Sequence, residues 1–244
     1  FDTAFHRHHN DVIERFAIPD RFFRQGVRRY GFHGLSYEYI AGYLRQRDQR
    51  LADGRVVVAH LGSGASACAM KAGLSVETTM GFTALDGLPM STRPGRLDAG
   101  VVLWMMEQGM SHEEIQNVLY YESGLKALSG LTDMRALLAS NKPQAELALA
   151  YFAYHTAESI AGLCVSLGGL DTLVFTAGIG ENCPEMRGRV CRHLEWLGLK
   201  LDERANQDNA SNIAADASTI SVRVVPTDEE SVIANKTLQV LSRV

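Results

Sequence analysis

The chain has 244 residues, 46% hydrophobic and 21% charged, with a formal net charge of −4. That balance describes a globular chain able to bury a sizeable core, as one large domain or two small ones. A pI near 6.1 argues against nucleic acid or an acidic membrane as principal partner, and no apolar run is long enough to span a bilayer.

The sequence opens at Phe1 in a strand-like stretch, Phe1-Asp-Thr-Ala-Phe5, with no initiator Met and no signal peptide. It therefore reads as a fragment of a longer chain. The histidines His6, His8 and His9 have poor ligand spacing and read as solvated surface. Gly34 to Arg47 is expected to be helical, capped by Ser36, with Tyr39, Ile40, Tyr43 and Leu44 at helical spacing. A meander of antiparallel strands follows, Val56–Leu61, Ala65–Met70 and Ser75–Met80, joined at Gly62-Ser-Gly64 and Lys71-Ala-Gly73. Residues 81–98, rich in Gly, Pro, Thr and Asp, read as a long functional loop.

Helices are expected at Ala99–Gln108 and Ser111–Tyr120, the second opened by a Ser111–Glu114 capping box. A long helix begins at Pro143 and stops at Gly168-Gly169. A strand, Thr172–Ala177, runs into a second glycine-rich turn, and a helix from Pro184 to Leu197 is closed by Gly198. The stretch 202–218 is polar and reads as surface. Strand Ile220–Val225 leads to Thr227-Asp-Glu-Glu230, where Thr227 and Glu230 match a capping box, and to a terminal helix. The four cysteines, Cys68, Cys164, Cys183 and Cys191, form no C-x-x-C pair and read as reduced core residues in a cytoplasmic protein. A meander followed by helices alternating with single strands makes a mixed α/β domain.

Two buried strands thus end in glycines, at His60-Leu61-Gly62-Ser63-Gly64 and at Ala177-Gly178-Ile179-Gly180-Glu181-Asn182. Without a Cβ, backbone N–H groups can close on an anion, and two such turns suggest a nucleotide held between phosphate and nucleoside sites. Each also has a plain reading, the first as a tight hairpin and the second as an ordinary strand–helix loop. Arg93 and Arg96 lie in a loop stiffened by Pro94 and Gly95, where a guanidinium fork could grip phosphoryl oxygens, or where Arg96 could simply pair with Asp98. His33 sits between Phe32 and Gly34 and is either structural or catalytic. Asp2 could bind metal or position a substrate; Glu229 could face a cation or merely complement its helix dipole.

In this order the segments resemble the acetokinase family, within the sugar kinase, Hsp70 and actin superfamily. The resemblance rests on Phe1-Asp-Thr-Ala-Phe-His6, Arg29-Tyr-Gly-Phe-His-Gly34, His60-Leu-Gly-Ser-Gly64, Ser75-Val-Glu-Thr-Thr-Met-Gly-Phe82, Thr92-Arg-Pro-Gly-Arg-Leu-Asp98, Thr132-Asp-Met-Arg135, Phe175-Thr-Ala-Gly-Ile-Gly-Glu-Asn182 and Pro226-Thr-Asp-Glu-Glu230. It implies an RNase H-like (actin-like ATPase) fold, a mixed sheet flanked by helices. It also implies Mg²⁺- or Mn²⁺-dependent phosphoryl transfer between ATP and acetate, giving acetyl phosphate and ADP, with propionate and butyrate as rival acceptors. By motif position, Arg93 and His33 would stabilise the phosphoryl group, Asp2 would be the carboxylate near acetate and metal, and Glu229 the metal ligand. His60, Leu61, Gly62, Ser63 and Gly64 would take the phosphates. Asp133, Met134 and Arg135, with Gly178, Ile179, Gly180, Glu181 and Asn182, would surround the nucleoside.

Three positions depart from the family pattern: Ser63 stands for Asn, Tyr37 for His, and Arg96 for a smaller or acidic residue. Family members also carry an N-terminal lobe before the Phe1 segment. Residues 1–226 are therefore expected to form a C-terminal nucleotide-binding lobe, with 227–244 a terminal helix that packs on the N-terminal one. The resemblance also implies a homodimer through this lobe. Two other readings are a nucleotide-binding module that transfers nothing to a carboxylate, and a dimerising scaffold. The Arg93 loop and His33 discriminate, because a pure nucleotide clamp needs neither.

Overall fold

A computed structural model describes residues 2–242, leaving Phe1, Arg243 and Val244 outside the described residues. The expected opening strand is a short 3₁₀ turn, Ala4–His6, where Phe1 cannot be compared. His6 and His9 are buried rather than solvated, each hydrogen-bonded through a ring nitrogen to Ser75 Oγ at 2.8 Å. Burial lowers both histidine pKa values, His9 to about 4. Helix α1, Gly34–Arg47, forms as expected, but Ser36 does not cap it. The N-cap is His33, and Ser36 Oγ bonds instead to His60 Nδ1 (2.9 Å) and Thr227 Oγ1 (3.0 Å).

Strands β1 (Arg55–Leu61), β2 (Ala65–Lys71) and β3 (Leu74–Thr78) form the antiparallel meander. After the long loop come helix α2 (Ala99–Glu107), capped by Asp98, and helix α3 (Pro143–Leu167), which Gly168 ends at φ +71°. The Ser111–Glu114 capping box is present, opening a short helix at His112–Asn117. Strand β4 (Thr172–Thr176) pairs parallel to β1, and β5 (Ser221–Val224) parallel to β4. The sheet order is β3-β2-β1-β4-β5, the mixed arrangement of the RNase H-like, actin-like ATPase fold. Helices cover both faces. Alternation along β1 sends Val57, Ala59 and Leu61 toward α3, and Val56 and Val58 toward Tyr37, Ile40 and Leu44 of α1.

Three further expectations change. The second glycine turn is itself helical, α4 (Ala177–Asn182), followed by α5 (Pro184–Arg192) and a separate 3₁₀ turn before Gly198. The polar stretch 202–218 is not all surface, since Asn206 and Ile213 are buried. The terminal helix α6 (Glu229–Leu241) is capped by Asp228, whose carboxylate accepts from Ser231 N–H, and not by Thr227 with Glu230. Helix α6 packs on α1, with Val232 its one buried residue and a Lys236–Glu38 ion pair of 2.5 Å joining the two. All four cysteines are buried free thiols. No helix among the described residues is long and apolar enough to cross a membrane.

Candidate active site

The β1–β2 hairpin forms one wall. Gly62 N–H donates to Gly64 C=O (3.0 Å), and Ser63 C=O accepts from Ser91 N–H (3.2 Å), which ties the hairpin to the Arg93 loop. The Ser63 side chain is exposed toward the cleft, whereas Leu61 is fully buried and can offer only its backbone. Gly64 marks a close approach. A Cβ there would lie 2.7 Å from Arg93 Nη2 and 3.3 Å from His33 Nε2.

His33 and Asp2 are locked together at the start of α1. The Asp2 carboxylate accepts from His33 N–H (2.8 Å), and Asp2 C=O accepts from Gly34 N–H (3.0 Å). Only glycine fits at position 34, because a Cβ would fall 2.0 Å from that Asp2 oxygen. His33 takes a left-handed conformation at φ 56°, strain of the kind that marks functional positions. Its ring stacks on His60 with centroids 4.2 Å apart and planes at 16°. Burial drives both imidazoles neutral, with pKa values of about 4 for His33 and about 3 for His60. At His33 the Asp2 charge favours protonation, with the weaker influence of Arg93 opposing it, and burial outweighs Asp2; the His33 ring opposes protonation of His60.

Arg93 donates through Nη1 to Ala84 C=O (2.8 Å), and among the described residues no carboxylate pairs with it. Its backbone is pinned by Met90 N–H to Arg93 C=O (3.0 Å), while Leu125 N–H donates to Met90 C=O (2.9 Å). A half-buried guanidinium without a counter-ion, beside a neutral imidazole, suits an incoming anion. Arg96 instead pairs with Glu158 at 2.8 Å, so the expected Arg96–Asp98 pair does not form. Glu229 lies in the first turn of α6, and burial followed by the Asp2 charge raises its carboxyl pKa. Among the described residues no three or more His, Cys, Asp or Glu side chains gather to hold a metal by themselves, so a divalent cation beside these two hard oxygen donors would need most of its ligands from water or phosphate oxygens.

The second wall closes a cleft of about 610 Å³ lined by Gly62, Ser63, Asp133, Met134, Arg135, Gly178, Ile179 and Asn182. Nothing stands within 4 Å of a Cβ at Gly178, so this turn is open to a ligand. The Asp133 carboxylate caps the next helix through Ala136 N–H (3.0 Å), Met134 is largely buried, and the Arg135 side chain is exposed. Asn182 Nδ2 donates to Gly178 C=O (3.0 Å). Two residues have other work. Gly180 is buried against Phe175, and Glu181 Oε1 accepts from Ala177 N–H (2.8 Å) and Thr227 N–H (3.0 Å). The Ala177 amide is thus consumed internally, with Ala177 strained at φ 64°.

The residues behind this front belong to no site motif, and Ser36, expected as a helix cap, serves His60 instead. Arg187 is wholly buried and grips Gly180 C=O (2.9 Å) and Glu181 C=O (3.0 Å), fixing the second wall from below. Ser66 and Ser36 back the two histidines through Nδ1. Their one signal was a lone hydroxyl in an otherwise small or apolar stretch, which local pattern alone does not distinguish from a filler.

The acetokinase family model matches residues 1–235. Acetate kinase of Nitrobacter hamburgensis is 55% identical over 99% of this chain and 60% of its own length; that of Rhizobium meliloti is 50% identical over 99% and 62%. Among solved structures, Porphyromonas gingivalis acetate kinase superposes with a TM-score of 0.92 at 35% identity, covering 99% of this chain and 63% of that one. A propionate kinase from Francisella tularensis gives 0.90 at 36% identity, covering 97% and 62%. The chain spans about 60% of the length of the curated relatives it matches. With this match in sequence and in fold, the chain belongs to the acetokinase family.

Proposed function

We propose that this chain forms the phosphoryl-transfer lobe of an acetate kinase, moving a phosphoryl group reversibly between ATP and acetate to give acetyl phosphate and ADP. The observation that carries this reading is the convergence of Arg93 Nη2 and His33 Nε2 on the space that Gly64 leaves open, beside the hairpin. An acetate oxygen bonds to the γ-phosphorus, the bond to the bridging oxygen breaks, and ADP leaves with that electron pair. Such a transfer needs positioning and neutralisation of the equatorial oxygens more than covalent help. Arg93 supplies the charge and neutral His33 an N–H donor. The Gly62–Gly64 amides receive phosphate, and the cleft between Asp133–Arg135 and Gly178–Asn182 receives the nucleoside. Asp2 and Glu229 would hold Mg²⁺ or Mn²⁺, which supplies further charge neutralisation when bound.

The test uses the intact polypeptide that carries this chain, with ATP, Mg²⁺ and acetate, propionate or butyrate, scoring acyl phosphate as hydroxamate. Acetate is expected to be the best acceptor, and Arg93→Ala to lose roughly 10²–10³-fold in kcat. Full activity in Arg93→Ala refutes the assignment, and a preference for propionate or butyrate moves it to those substrates. The buried reduced thiols support a cytoplasmic setting. Helix α2 is apolar except for Glu107, yet none of its residues is buried, and Leu103, Trp104 and Met106 are each more than half exposed. That face supports a homodimer through this lobe, which a monomeric mass in sedimentation would overturn.

A further inference from the structure

Behind His33 lies a buried chain of hydroxyls that the family reading does not use. His33 Nδ1 meets Ser66 Oγ at 2.8 Å, and Ser66 Oγ meets the hydroxyl of Tyr37, whose side chain is fully buried. Ser66 is fully buried as well. Tyr37 finds its hydrogen-bond partner in Ser66. Three groups therefore share their protons among themselves, and their polarity can be worked out by donor arithmetic.

If His33 carried its proton on Nδ1 and donated to Ser66, the serine would donate to Tyr37 and the phenolic hydrogen would be stranded. If both His33 and Tyr37 donated to Ser66, the serine hydrogen would be stranded instead. Either leaves a buried donor unmade, the costly outcome. One arrangement strands nothing: Tyr37 O–H donates to Ser66 Oγ, and Ser66 O–H donates to a bare His33 Nδ1. Burial also keeps the phenol protonated, since its pKa lies well above the ordinary 10.

We propose that Ser66, with its hydroxyl oxygen held by Tyr37, is a positioning residue that fixes His33 in the Nε2–H tautomer and aims that N–H into the space before Gly64. Nε2 is the atom that lies 3.3 Å from a Cβ built on Gly64, next to Arg93 Nη2. The relay thus turns a neutral histidine into a one-way donor for the group Arg93 neutralises, and keeps it from acting as a competing acceptor. His60 has a parallel arrangement, Nδ1 to Ser36 Oγ to Thr227 Oγ1, but Thr227 is only half-buried, so water can complete either polarity. The polarity is fixed where both hydroxyls of the chain are shut off from water.

This inference rests on the proposed phosphoryl-transfer role of His33, yet its primary test does not depend on activity. Long-range ¹H–¹⁵N correlation of ring nitrogens in the histidine-labelled intact protein, assigned against His33→Gln, should show Nε2–H for His33. Tyr37→Phe keeps the ring and removes the hydroxyl. It leaves Ser66 free to donate to Nδ1, and Nδ1–H would still strand the serine hydrogen, so the His33 signals should stay Nε2–H. Ser66→Ala leaves Nδ1 without a partner in either tautomer; it should shift the His33 signals toward a mixture and lower kcat roughly 10-fold while leaving the KM for nucleotide nearly unchanged. An Nδ1–H signal in the wild-type protein overturns the proposal, and so does an unaltered His33 spectrum in Ser66→Ala. A wild-type protein with the Nε2–H signal but no acyl kinase activity supports the relay and refutes the proposed function.

Discussion

Replacing Gly64 by Ala puts a methyl group into the space on which the candidate site converges. The new Cβ would lie 2.7 Å from Arg93 Nη2, where ordinary contact begins near 3.4 Å, so the guanidinium must retreat by about 0.7 Å. The end of an arginine side chain can move that far at little cost. Gly64 is not among the positive-φ glycines, so its backbone accepts Ala without strain. Stability should therefore change by less than about 1 kcal/mol, with the lost chain entropy of glycine offsetting part of the crowding. Catalysis is less forgiving, because a misplacement near 1 Å can cost about 10²-fold in rate. The expected result is a folded Gly64→Ala protein with kcat reduced roughly 10- to 100-fold. The assay pairs hydroxamate-scored turnover of the intact protein with urea unfolding. Gly34→Ala is the contrast: its Cβ would strike the Asp2 backbone oxygen at 2.0 Å, so that variant should lose stability as well as activity. Near wild-type turnover in Gly64→Ala would show that Arg93 does not work from its position beside Gly64, and would refute the reasoning.

Burial holds His33 and His9 at about 4 and His60 at about 3, all below the 6.5 of an exposed imidazole. The unfolded chain then binds more protons than the native one below pH 6.5, so stability falls as pH drops from 6.5 toward 4, by up to about 1.4 kcal/mol per pH unit for each histidine. Urea midpoints at pH 7, 6 and 5 should decline accordingly, and a flat series would contradict buried neutral histidines. Arg187→Met removes hydrogen bonds to Gly180 C=O, Glu181 C=O, Asn206 Oδ1, Asn206 C=O and Asn209 Oδ1 from a site with no exposure. It should cost about 3 kcal/mol or more and weaken nucleotide binding, because the orphaned carbonyls shape the second wall. Thermal unfolding within a degree or two of wild type would show that the Arg187 anchor is dispensable.

The elements themselves were legible in the residues. The alternation of β1, the glycine hairpin, the Ser111–Glu114 box and the Pro143-to-Gly168 span of α3 are short-range signals, and the structure keeps them. Local pattern misled where a side chain's partner lay far along the chain. Ser36 looked like a cap and instead joins His60 to Thr227, 191 residues from Ser36. Thr227 and Glu230 looked like a capping box, but Asp228 reaches Ser231 first. His6 and His9 looked solvated, yet the sheet buries them against Ser75. Motif likeness singled out Asp2, His33, Arg93 and Glu229 by type and order. Nothing in local periodicity says that these four, from separate segments, share one neighbourhood, nor which neighbour neutralises or desolvates which. Desolvation, stacking and proton polarity depend on what packs behind a group, and that is fixed only when the sheet and α1 close. Periodicity and motif order alone specify the strands, their turns and the chemical kinds available. Only the closed fold leaves Arg93 without a counter-ion among the described residues, makes His9, His33 and His60 neutral, and joins Glu181 to both Ala177 and Thr227, since each depends on long-range contacts that no local run of residues encodes.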